Sequence, residues 1–512
     1  MNIRMPDMVS MYLEGAGRVD SLRHEDAKIK LHLENGRLHV RLVADTTPAR
    51  FIRLRWNFTS AEMPPEPVRI TGDCWERGYG NLEWRGIVAR RCMPWVCAAS
   101  TGSDMALDDT GRITYCYGVR VRSGAMCFWQ YDDTGVTLWL DVRCGGAGVK
   151  LGGRELNAAE VVMAEYKNIK AFDAMHAFYR TLCSDVLLPS KPVYGFNNWY
   201  YAYGNSSHGD IIRDTRWLSD LCRGINNRPF MVIDDGWQPN KTDWPWDRGN
   251  ERFPDMKALA DEIKNLDVRP GIWVRYLADM KQRMPNVPEG ARLMRDNQFF
   301  DPSHPFVRDY VTDVTRRIVD WGYQLIKHDY SSYDMFGDWG VNRPDSFTAD
   351  GWHFYDQSRT SAEIVVEQYR ECVGVARDVA QSGFIAVDIA AFLFVKEELV
   401  QLFAHRRGFG CILRSILARD FGAACRRVQC LYKQHLLRAH RAALVHIRPV
   451  HKHPVIGLAD YEAVGVDAGA AVVHQRLYAW PYRLNEVCIA KRIIVIADAH
   501  YPVQRVVEYG IY

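Results

Sequence analysis

Over roughly the first 190 residues, apolar and polar positions alternate with a period of two, in short runs. Lys28–Leu33, Arg37–Val43 and Phe51–Asn57 each place their apolar side chains on one face, and Gly118–Val121 and Val136–Val142 continue the pattern. Glu34-Asn35-Gly36 separates the first two runs and carries the Asn-Gly pair that suits a tight hairpin. A series of such strands predicts an antiparallel β-sandwich. Ala171–Ser184 then switches to a helical period, and Leu188-Pro189-Ser190-Lys191-Pro192 marks a boundary.

From Val193 strands and helices alternate. Strand-like Val193–Trp199, Phe230–Asp234, Gly271–Tyr276 and Gln324–Lys327 are followed by helical runs near Asp210–Arg223, Met256–Asn265, Phe306–Trp321 and Thr360–Ala380. That order predicts a (β/α)8 TIM-like barrel, with its chemistry at the C-terminal ends of the strands. The expected organisation is multidomain. Residues 1–190 form the sandwich and connecting helix, 191–383 the first half of a catalytic barrel, and 384–512 a tail of different character.

Composition sets the tail apart. Its 129 residues hold no Thr, no Met, one Ser, one Asn and one Trp, yet 8 of the 16 histidines. It carries 17 Lys+Arg against 10 Asp+Glu, while the chain as a whole has a net charge of only +3. Two readings fit: a shifted reading frame that leaves the barrel incomplete at its C-terminal end, or a divergent set of barrel units. Elsewhere the balance of 47% hydrophobic and 25% charged residues is that of a folded soluble protein. A charge of +3 gives no electrostatic reason for a nucleic-acid partner, and no apolar run of about 18 residues predicts a membrane span. The N-terminus lacks a secretory pattern, and 13 cysteines without CxxC pairs suit reduced thiols, so the expected setting is cytoplasmic. A homo-oligomer is compatible with this composition.

Candidate chemistry gathers at four strand ends. Lys327 and Asp329 are two apart, so alternation puts both on one face, where a cation favours an ionised carboxylate. Asp234 and Asp235 follow the apolar run Met231-Val232-Ile233; adjacent carboxylates there call for ligand hydroxyls, a metal, or a turn. Trp199 and Trp273 end the first and third strand-like runs, where each is a sugar-stacking surface or core filling. Together they make what a pocket for one pyranose needs: stacking surfaces, hydroxyl acceptors and a carboxylate beneath the anomeric carbon.

Asp234-Asp235-Gly236-Trp237 and Ile326-Lys327-His328-Asp329 resemble the second- and fourth-strand motifs of clan D glycoside hydrolases, families 27 and 36. These are retaining α-galactosidases and α-N-acetylgalactosaminidases. The resemblance runs from about residue 70 to residue 380. It implies that Asp234 and Asp235 bind the O4 and O6 hydroxyls of galactose, that Lys327 binds sugar hydroxyls, and that Asp329 is the nucleophile. Trp199 and Trp273 match the aromatic residues ending the family's first and third strands. The stretch Gly72-Asp73-Cys74-Trp75-Glu76-Arg77-Gly78-Tyr79-Gly80 is similar to a loop of the N-terminal sandwich in family 36-like members, which brings in Asp73 and Arg77 as contributors.

The family's acid/base is an Asp near the end of the sixth strand, preceded by a substrate-binding Arg, and that region falls in the anomalous tail. Arg419-Asp420 is a local imitation and Asp388 follows a strand-like run. The resemblance implies double displacement on α-linked galactosides, with an oligosaccharide or small α-glycoside as substrate and no cofactor or metal. Two other readings stay open: a sugar-binding homologue that lacks its acid/base, and a metal-dependent barrel using Asp234, Asp235 and Asp329.

Overall fold

The computed structural model describes residues 3–59, 68–73, 83–102, 109–183, 192–337, 350–379 and 385–388. Arg77, Asp420 and most of the tail lie outside the described residues. Two antiparallel sheets come first. Six strands run in the order Gly17–Val19, Met8–Leu13, Ala49–Asn57, Gly135–Asp141, Met126–Asp132, Met93–Pro94. Seven more run in the order Arg23–His24, Ala27–Glu34, Arg37–Val43, Glu155–Lys167, Ile113–Val119, Val96–Thr101, Val68–Gly72.

Alternation decides which faces meet. Leu38, Val40 and Leu42 from one sheet, and Ile52, Leu54, Val136, Leu138 and Leu140 from the other, are buried in one shared core. Each such side chain withdrawn from water contributes roughly 1.5–3 kcal/mol. The hairpin signal is realised: Glu34 pairs with Arg37, and Asn35 and Gly36 both take positive φ, 50° and 73°. The run Gly118–Val121 is instead the end of a longer strand, Ile113–Val119. The helix Ala171–Leu182 packs Met175, Phe178, Tyr179 and Leu182 against Val96, Ala98 and Cys116.

The second part is a five-stranded parallel sheet in sequential order: Gly195–Asn197, Phe230–Ile233, Arg269–Val274, Leu325–His328, Ile385–Asp388. Helices His208–Leu221, Met256–Asn265 and Pro305–Asp320 lie between the strands, and Ser361–Val379 precedes the fifth. Ser207 starts the first of these helices two residues earlier than the apolar pattern suggests. Its hydroxyl accepts from Asp210 N–H, and its own N–H donates to the Asp210 carboxylate at 3.1 Å. Met256–Asn265 begins at the Asp255 cap and buries Met256, Leu259, Ala260 and Ile263, the spacing of one helical face. Among the described residues the parallel sheet has five strands; closure into eight rests on residues beyond them.

The sandwich and the last helix are laced together. Thr360 Oγ1 donates to Gly124 O at 2.6 Å, and Ser361 N–H to Arg143 O at 2.8 Å. Gly146 N–H donates to Trp352 O and Lys150 N–H to Gln357 O, each at 2.9 Å. Buried Arg143 grips Asp141 at 2.7 and 2.9 Å and reaches Asp350 at 3.0 Å.

Candidate active site

Four consecutive parallel strands end at one place. The first ends at Asn197, so Trp199 opens the short helix Trp199–Ala202 rather than closing the strand. This happens because Asn197 Oδ1 accepts from Trp199 N–H at 2.9 Å and turns the chain. Trp199 is half-buried, beside the Tyr203 ring at 5.5 Å and with Lys241 Nζ 5.7 Å from its centroid.

The two aspartates after the second strand divide their work. Asp234 Oδ2 accepts from Lys327 Nζ at 2.6 Å and from Asn197 Nδ2 at 2.7 Å, and its Oδ1 from Asp235 N–H at 2.8 Å. Its backbone N–H donates to Asn198 Oδ1 at 2.7 Å. Asp235 turns toward its own loop. It accepts from Gln238 Nε2 at 2.6 Å, Thr242 N–H at 2.8 Å and Thr242 Oγ1 at 2.6 Å. That network closes the 235–242 turn around Gly236, which has φ +106° and no space for a side chain, since a Cβ would stand 2.5 Å from Gly204 O. The adjacent carboxylates thus avoid repulsion by separate partners. Among the described residues no three His, Cys, Asp or Glu side chains gather as metal ligands.

Lys327 and Asp329 flank the end of the fourth strand. Lys327 Nζ holds Asp234 in a buried ion pair. Asp329 accepts from Trp273 Nε1, 3.0 Å from Oδ2, and from Tyr330 N–H, 2.9 Å from Oδ1. Trp273 pairs in register with Lys327 and is 1% exposed, packed on Trp246 at 5.6 Å. What it offers is its indole N–H, aimed at a half-buried carboxylate, and not an open ring face. Its own carbonyl accepts from Trp237 Nε1 at 2.8 Å, which ties the Trp of the second-strand motif to the third strand. His328 lies between Tyr276 and Tyr369 at 4.9 and 5.3 Å, against the helix Ser361–Val379.

Behind Asp329 stands an ion pair that sequence reasoning missed. Arg275 Nε is 2.9 and 3.1 Å from the Asp334 oxygens, and Nη2 is 2.6 Å from Oδ1. Burial pushes the Asp334 carboxyl up to about 6 against the pull of Arg275. Burial opposes the Arg275 charge, but Asp334 outweighs it and keeps the guanidinium protonated. Asn197 and Asn198 were missed as well; two Asn residues at a strand end just before a Trp were the available signal.

Asp73 follows the edge strand Val68–Gly72, is buried, and donates its N–H to Val96 O at 3.2 Å. Asp388 closes the fifth strand at the register position of His328. No helix of the described residues is long and apolar enough to cross a membrane.

No family model matches the chain, and no curated protein matches it. The solved structures similar to it include glycoside hydrolase family 36 α-galactosidases. One is the α-galactosidase AgaA from Geobacillus stearothermophilus, at 15% identity and TM-score 0.47, with 78% of this chain and 67% of that one covered. Another is the Thermus thermophilus α-galactosidase in complex with p-nitrophenyl α-D-galactopyranoside, at 18% identity and TM-score 0.44, covering 76% and 72%. A third is the galactosidase domain of the α-galactosidase–sucrose kinase AgaSK, at 15% identity and TM-score 0.45, covering 78% and 60%.

Proposed function

We propose that this protein is a retaining α-glycosidase of the α-galactosidase type, acting on an oligosaccharide or small α-galactoside, with Asp329 as nucleophile. One observation carries the reading. Asp329 stands at the C-terminal end of a parallel strand with its carboxylate plane fixed by Trp273 and Tyr330, beside the buried Lys327–Asp234 pair. A nucleophilic carboxylate has to present one oxygen to the anomeric carbon in a set orientation, and two N–H donors on opposite oxygens set it. Asp234, with Lys327 and Asn197 around it, supplies a rigid polar wall for sugar hydroxyls.

In the reaction Asp329 attacks the anomeric carbon, the glycosidic oxygen leaves with a proton from an acid, and a β-linked glycosyl ester forms. Water, deprotonated by the same acid residue, then attacks the anomeric carbon and releases the sugar with retained α configuration. Asp388 and Asp420 are the candidates for that acid, expected about 5–5.5 Å from the nucleophile in a retaining enzyme.

Azide rescue tests the assignment. Asp329→Ala should lose turnover of nitrophenyl α-galactoside by about 10³-fold or more. Added azide should then attack from the vacated face and yield β-galactosyl azide. Wild-type turnover in Asp329→Ala, or an α-azide product, contradicts the proposal.

A further inference from the structure

Asp329 is followed by a backbone conformation that needs an explanation. Tyr330 has φ 64° and ψ 1°, the left-handed region that a bulky residue rarely occupies. Such a conformation is strained and persists where the surroundings enforce it. Here they do. The Arg275 guanidinium lies 4.2 Å from the centroid of the Tyr330 ring, and the Phe299 ring is 5.3 Å from the same group. Arg275 is gripped by Asp334 through three contacts of 2.6–3.1 Å, both side chains being almost fully buried. Asp334 N–H donates to Tyr330 O at 2.8 Å, and Arg295 Nη2 donates to Asp334 O at 3.0 Å. The guanidinium of the pair therefore holds the Tyr330 ring, while the Asp334 backbone N–H holds its carbonyl. The remaining backbone group, the Tyr330 N–H, is the one that points at Asp329 Oδ1.

Two buried charges are costly to desolvate, and such a pair is weak evidence for stability by itself. Its placement suggests another role. We propose that Arg275 and Asp334 are positioning residues: their buried pair locks Tyr330 in the left-handed conformation that aims its N–H at Asp329 and orients the carboxylate. The inference rests on Asp329 being the nucleophile, but the device itself can be read without turnover. With the Tyr330 N–H misaligned, the Asp329 carboxylate rotates about its Cβ–Cγ bond, and its other oxygen leaves the Trp273 indole.

The full-length protein with 15N-labelled tryptophan tests this. The Trp273 indole cross-peak, assigned through Trp273→Phe, reports the hydrogen bond to Asp329. Arg275→Lys keeps the charge and loses the fork; Asp334→Asn keeps the shape and loses the charge. Each should shift that cross-peak and slow formation of the glycosyl-enzyme by about 10- to 100-fold, as misplacement of a reacting group does. Galactose affinity should stay within about twofold, because the sugar-facing wall is untouched. Tyr330→Gly, which adopts the left-handed region unaided, should slow the step and make it insensitive to Arg275→Lys, because the ring linking the two is gone. It also serves if the other variants fold poorly. An unmoved Trp273 cross-peak with an unchanged glycosylation rate in Arg275→Lys overturns the proposal. So does a parallel loss of sugar affinity, which marks a general packing role. If the wild-type protein forms no glycosyl-enzyme at Asp329, the functional reading falls, and the cross-peak alone decides whether the pair orients that carboxylate.

Discussion

At the residue scale the chemistry turns on which donor meets which carboxylate oxygen. Replacing Trp273 with Phe removes the indole N–H on Asp329 and leaves a smaller ring in the buried slot. Hydrogen bonds to a charged group contribute about 1.5–3 kcal/mol, so the glycosylation rate should fall by about 10- to 150-fold, with some loss of stability from the space left behind. Stopped-flow release of nitrophenolate measures it. Asp234→Asn should weaken galactose binding by a similar factor, read by calorimetry, because it removes the charge facing Lys327. Asp388 and Asp420 separate by leaving group. The true acid, changed to Asn, spares the glycosylation step with nitrophenyl galactoside, whose phenolate leaves unprotonated, but slows hydrolysis of the intermediate and loses alkyl galactosides.

Much of this site was legible in the sequence, since Lys327, Asp329 and Asp234 stand where period-two strands must end. The split between Asp234 and Asp235 was not. It depends on Gln238 and Thr242 folding back onto Asp235, a turn closure that spacing does not encode. Nor could alternation show that Trp273 donates to Asp329, because that requires the third and fourth strands to pair Trp273 with Lys327.

At the element scale, stability resides in caps, turns and a few shielded charges. Gly236→Ala should destabilise by about 1–3 kcal/mol from backbone strain, with more from the approach to Gly204 O, seen as a lower urea midpoint. In the sandwich, burial raises the Asp132 carboxyl, but hydrogen bonds from Arg55 and Thr134 outweigh it and hold the group at about 2. A carboxyl lowered in this way stabilises the fold above its unfolded value near 4, and that contribution fades as pH falls toward 2. Urea midpoints of Asp132→Asn and wild type should therefore differ at pH 6 and converge toward pH 2; a constant gap contradicts the assignment. The strands here were legible where one face is buried, as in Arg37–Val43. Gly118–Val121 was misjudged because Ile113–Val119 is buried almost throughout and shows little alternation.

At the scale of the whole molecule, the strand–helix rhythm after Val193 foretold sequential parallel strands, and the described residues hold five. The clasp between sandwich and last helix was invisible beforehand, since residues such as Thr360 and Gly124 are far apart in sequence and chemically ordinary. Its strength is unevenly spread. Arg143→Met leaves Asp141 buried without its fork and should cost about 3–5 kcal/mol. Arg154→Ala opens a more exposed pair with Glu363 and should cost less than about 1 kcal/mol. Thermal unfolding of the two variants distinguishes them.

The central claim is that Asp329 forms a bond to the sugar. A fluorinated galactosyl donor with an activated leaving group, digested after reaction and analysed by mass spectrometry, tests it directly. The account predicts a glycosyl adduct on the peptide that contains Asp329, absent from Asp329→Ala. Turnover of the donor with the adduct on another carboxylate, or with no adduct formed at any time, would contradict it.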